Sequence, residues 1–169
     1  YDYWDNKVRR SILLDSGADL LLYGMGEHQI IEMADALASG LPVEELTFLR
    51  GSVYKTKDIS RAYDYIVLPK YNEIKQDKMK YAESFLIQYQ NTDAVIGKTL
   101  IEEYYEWTVV QNPPSPPLRT NELDRVYALN FERTYHPMYE EKGGIPAIEE
   151  VKFSLVSNRG CFGNCNFCA

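Results

Sequence analysis

The chain has 169 residues, enough for one domain with a real core or for one domain and the start of a second. With 45% hydrophobic and 25% charged residues, disorder is excluded as its main state. The 25 acidic against 18 basic residues give a net charge of −7, which argues against a nucleic-acid partner gripped through its phosphates.

No apolar run approaches the roughly 20 residues that cross a bilayer, and no basic segment followed by an apolar one opens the chain. A soluble cytoplasmic protein with no membrane contact is expected. The sequence begins YDYWDNK, without a Met, and stops at CNFCA, so it reads as an internal piece of a longer chain.

Trp4, Val8 and Ile12 recur every four residues, with Gly17 placed as a C′ residue, which predicts a helix ending near Ser16. The unbroken apolar run ADLLLYG then reads as a strand buried on both faces, as in a parallel sheet. In GMGEHQIIEMADALASGLP, residues Ile30, Ala34, Leu37, Ala38 and Leu41 share one helical stripe, closed by Gly40 and Pro42. EELTFLRGSVYK predicts a short helical turn and a strand, and AYDYIVLP a further strand ended by Pro69. Ile74, Tyr81, Phe85 and Tyr89 predict one long amphipathic helix from Tyr71 to about Asn91. This alternation of elements specifies an α/β fold.

QNPPSPPLR at 111–119 forces an extended polyproline strap, and an irregular connector of about 30 residues follows. VKFSLVSNRGC alternates Val151, Phe153 and Leu155 with polar residues, which predicts a strand delivering cysteines at its carboxyl end.

All three cysteines, Cys161, Cys165 and Cys168, stand in the last nine residues with the spacing C-x3-C-x2-C. Thiols this close cannot staple a chain of this size, and in a reducing compartment they point to metal or redox chemistry. Gly163 and Asn164 let the loop wrap an iron–sulfur cluster. Three ligands leave one iron open to an outside group, whereas structural zinc closes with four protein ligands. The competing readings are unliganded thiols, a redox switch, or a zinc site completed by His28 or His136 on a ligand- or partner-binding module.

GCFGNCNFC resembles the motif of the radical S-adenosylmethionine (SAM) superfamily, with the aromatic Phe167 before the last cysteine. The opening YDYWD, LLLYGMGEHQIIEMADALASG, VVQNPPSPPL and HPMYEEKGGIPAIEEVKFSLVSNRGCFGNCNFCA together are similar to the YgiQ-type radical SAM proteins. The resemblance implies that Cys161, Cys165 and Cys168 hold a [4Fe–4S] cluster whose open iron chelates SAM. It implies a SAM contact for Phe167, beside the adenine, and a radical that attacks an unknown substrate. It further implies a Rossmann-like parallel sheet, related in shape to cobalamin-binding domains, over residues 1–110. Residues 111–150 would be the strap and connector, and residues 151–169 the first strand of a partial (β/α) barrel with its cluster loop. The glycine-rich second barrel strand and a cobalamin-type D-x-H-x-x-G loop are not among these residues, so the piece is expected to be inactive alone.

The remaining motifs have modest readings. YGMGEHQ is a glycine turn whose Glu27 repels anions, and it is expected to serve packing. PPSPPLR fits an SH3-ligand spacing with Arg119 as the charged contact, although a stiff strap explains the same residues. His136 is expected to bond backbone. Many of the 14 tyrosines are expected at interfaces, and the apolar surface around Val151–Phe153 and Phe162–Phe167 is expected to favour self-association.

Overall fold

The computed structural model describes residues 1–156 and 159–163. The chain divides into two units, Tyr1–Pro117 and Leu118–Ala169.

In the first unit the opening residues form a small loop closed by an Asp2–Lys7 bridge, with Trp4 92% exposed. The helix expected from Trp4 is therefore confined to α1, Ile12–Ser16, which ends at Gly17 in the left-handed conformation (φ 71°). Strand β1 (Leu20–Leu22) and helix α2 (Glu27–Ala38) follow as the sequence predicts. The stripe that the sequence marks is left largely uncovered: Ile30, Ala34, Leu37 and Ala38 are exposed, Leu41 is half-buried, and the buried residue of α2 is Gln29.

A short 3₁₀ turn at Val43–Glu45 leads to β2 (Ser52–Thr56), and β3 spans Tyr65–Val67. The long helix expected from Tyr71 is broken into α3 (Tyr71–Gln76) and α4 (Lys78–Gln90). Asp77 takes an extended conformation between them, and its carboxylate accepts from Met79 N at 2.8 Å. An aspartate caps a new helix better than it continues an old one, because its short side chain competes for backbone donors.

Residues 99–111 supply two strands absent from the sequence reading, β4 (Thr99–Glu103) and β5 (Thr108–Gln111). Tyr104 N donates to Trp107 O at 2.8 Å, closing the tight connection between them. The five strands lie in the order β1-β2-β5-β4-β3. The expected parallel sheet is corrected to a mixed one: β3 and β4 pair in parallel, and the other three pairs are antiparallel. A hairpin can only return antiparallel, whereas α3 and α4 provide the long crossover that a parallel pair needs.

Strand alternation gives the sheet two faces. Tyr54, Ile101 and Val110 form the core of one, with Leu20, Ile59 and Ala62 packed on it. Leu21, Val53, Leu100 and Val109 turn to the other side, with Ile74 of α3 and Phe85 of α4 around the same space. The proline segment carries neither helix nor strand, and it is tied to the loop before β2, where Gly51 N donates to Pro113 O and Arg50 Nε to Pro114 O.

In the second unit the connector is less irregular than expected, with α5 (Thr120–Tyr127), a 3₁₀ turn at Pro137–Lys142 and α6 (Ile148–Val151). Of the strand predicted over 151–161, the described residues form none: Val151 ends α6, and Phe153 and Leu155 stand 91% and 95% exposed in turn and coil, with no cross-strand partner among the described residues.

Candidate functional site

Cys161 is exposed, and its sulfur accepts from Gly163 N at 3.4 Å. Gly160 just before it adopts a positive φ of 75°, so the chain turns sharply into the cysteine loop where only glycine does so without strain. In the same unit the Arg159 guanidinium lies over the Tyr127 ring at 5.7 Å. Cys165, Phe167 and Cys168 lie outside the described residues. Among the described residues no group of three or more metal-ligating side chains assembles.

His136 has a different assignment. Its Nδ1 accepts from Met138 N at 3.1 Å, capping the turn that Pro137 begins, which matches the backbone-bonded role expected of it. In the YGMGEHQ turn, Gly24 needs its positive φ of 74°, and a Cβ at either Gly24 or Gly26 would meet nothing within 4 Å. Gly24 therefore serves the turn, and neither glycine makes room for a close approach.

The first unit contains a cavity of about 330 Å³ between the sheet and helices α3 and α4. Its floor is apolar except at Gln111 of β5 and at Glu102, which the alternation of β4 places beside Leu100 on the inward face. Tyr104 donates to Glu102 Oε2 at 2.7 Å and accepts from Ser11 N at 2.8 Å. Its ring stacks on Tyr71 with centroids 5.7 Å apart. Burial pushes the Glu102 carboxyl above its ordinary value, with the Tyr104 hydrogen bond opposing the rise. Burial also raises Tyr104, as does the charge of Glu102 beside it. On the helical wall Ser84 is 4% exposed and accepts from Gln88 Nε2 at 3.1 Å. The sequence reading missed Glu102, Tyr104 and Ser84. A carboxylate at the inward phase of TLIEE was the available signal, legible only once that run is known to be a strand.

The family model described as Radical SAM N-terminal matches residues 1–154. A UPF0313 protein of Clostridium botulinum (strain ATCC 19397 / Type A) is 56% identical over 169 residues, which is 100% of this chain and 26% of that protein. A UPF0313 protein of Clostridium perfringens (strain SM101 / Type A) is 56% identical over 170 residues, again 100% of this chain and 26% of its own length. The chain thus spans about a quarter of the length of these curated relatives. No solved structure matches it. With a family model covering nearly its whole length, the chain belongs to the radical SAM N-terminal family.

Proposed function

We propose that this chain is part of a radical SAM enzyme in which Cys161, Cys165 and Cys168 hold a [4Fe–4S] cluster and Phe167 contacts SAM. The observation that carries the reading is the C-x3-C-x2-C spacing, which stands just beyond the residues that the family model matches. Three thiolates are a soft donor set suited to an iron–sulfur cluster, and they leave one iron open. Cys161 fits: its sulfur is exposed, and its hydrogen bond from Gly163 N is of the kind that tunes a cluster-bound thiolate. The chemistry such a group supplies when bound is one electron to SAM, whose reductive cleavage starts radical chemistry on an unidentified substrate. The chain's own part is to present the three thiolates on a turn that Gly160 permits, and to place Phe167 one residue before the last of them.

The same reading takes residues 1–110 as the counterpart of a Rossmann-like domain related to cobalamin-binding ones. Residues 111–150 are then the strap and connector, and those from 151 lead into a partial (β/α) barrel. No helix among the described residues is long and apolar enough to cross a membrane. Val151, Phe153 and Phe162 are exposed and belong to the apolar surface through which it would self-associate.

The test is anaerobic iron–sulfide reconstitution of a protein with the relatives' full length, followed by electron paramagnetic resonance with and without SAM. A four-iron signal that changes on adding SAM, with acid-labile sulfide, is expected, and Cys165→Ala loses it. Stoichiometric zinc instead of iron, or a cluster indifferent to Cys165 and to SAM, overturns the reading.

A further inference from the structure

We infer that the cavity between the sheet and helices α3 and α4 binds a small neutral heterocycle bearing amino groups, the chemical class of the nucleobases. At about 330 Å³ it lies near the lower end of the 300–1,000 Å³ range of small-molecule sites. The site is in the first unit and is independent of the cysteine loop.

Three features of the lining select this class. The first is an acceptor without a donor. Glu102 occupies an inward strand position where burial favours an apolar residue, and Tyr104 satisfies its Oε2 alone. Its Oε1 enters no hydrogen bond among the described residues and stays accessible, so a donor that enters the cavity can reach it. The second is polarity on the facing wall. Ser84 Oγ, nine-tenths buried, accepts from Gln88 and makes no other hydrogen bond among the described residues. The helical wall therefore still offers a hydroxyl donor and the Gln88 amide oxygen. The third is aromatic: Tyr71, Tyr81, Phe85 and Tyr104 all line the space, and flat faces favour a flat ligand.

Charge decides between neutral and ionic ligands. Arg9 and Arg10 also line the cavity, so an organic cation would sit beside two guanidiniums. Both are already engaged, Arg9 by Asp2 and Asp5 and Arg10 by Asp15, so neither is available to hold an anion, which Glu102 also repels. An uncharged planar ring whose amino edge donates to Glu102 meets both constraints.

Isothermal titration of the 169-residue chain, in air and without iron, tests this independently of any cluster. Adenosine and cytidine are the probes, with tyramine as the organic cation and benzoate as the anion. Saturable one-site binding of a nucleoside, with neither ion bound, is expected, and Glu102→Gln and Ser84→Val each weaken it at least tenfold. Far-UV circular dichroism confirms that each variant is folded; if one is not, the other decides. Absence of saturable nucleoside binding at millimolar concentration overturns the inference. So does unchanged affinity in the folded variants, or capture of tyramine or benzoate in place of the nucleosides.

Discussion

Replacing Asn112 by Asp keeps the volume of a buried side chain and reverses its hydrogen-bonding sense. Asn112 is 9% exposed, and its Nδ2 donates to Thr47 O at 2.8 Å, Leu49 O at 2.9 Å and Ser52 Oγ at 3.1 Å. Its backbone carbonyl accepts from the Tyr23 hydroxyl, so one residue joins the end of β1, the loop before β2 and the start of the proline segment. In Asn112→Ala, Leu49 O keeps the Ser52 hydroxyl, while Thr47 O loses this donor. At about 1 kcal/mol per hydrogen bond and about 1–3 kcal/mol for a buried acceptor left alone, the alanine variant costs about 2–4 kcal/mol. The aspartate costs at least as much at neutral pH, because a carboxylate then faces three oxygens.

The two variants separate on pH. The introduced carboxyl is raised in the folded state above its unfolded value, since its neutral form alone can donate. Its favourable contribution is thus present below the unfolded value and is lost as pH rises through the folded one. Urea unfolding near neutral and at mildly acid pH, each variant compared with the parent, is the assay. The deficit of Asn112→Asp shrinks on acidification and that of Asn112→Ala does not. An aspartate variant within about 1 kcal/mol of the parent at neutral pH, or a deficit as flat as alanine's, refutes the donor network as the source of stability.

Two further outcomes are specific. Burial raises Glu102 above its ordinary 4.5, so its contribution to stability is whole below that value and is lost as pH climbs through the raised one. Relative to Glu102→Gln, the parent loses stability over that window in a urea series, and a difference constant with pH contradicts the buried carboxyl. At Gly97 a Cβ would stand 2.5 Å from Asp93 O and 2.7 Å from Asn91 O, both backbone atoms that cannot swing aside. Gly97→Ala is expected to cost about 1–3 kcal/mol by overpacking, read as a lowered thermal midpoint, and an unchanged midpoint contradicts the tight loop.

Several elements were legible because their signals are local. An unbroken apolar triplet after a helix stop marked β1, and Gly17 and Gly40 adopt the positive φ that their place after helices predicted. The Tyr71–Asn91 helix was legible as helix but not as two, because the side chains keep their period while Asp77 breaks the backbone. The hairpin at 99–111 was lost because TLIEEYYEWTVVQ carries charge and aromatics without a glycine turn. The α2 stripe failed differently: its period is helical, yet periodicity states which residues share a face and not whether that face is covered.

The cysteine spacing, the glycine entering its loop and the family resemblance are properties of adjacent residues, and the sequence by itself determined them. Strand order and direction, the union of Asn112 with residues some 60 positions earlier, and the assembly of Glu102, Tyr104 and Ser84 around one cavity were decided by tertiary structure alone. The reason is physical. Chain-local geometry fixes what a residue can do, but the partner that satisfies a buried polar group comes from a distant segment, and its arrival depends on how the strands pair.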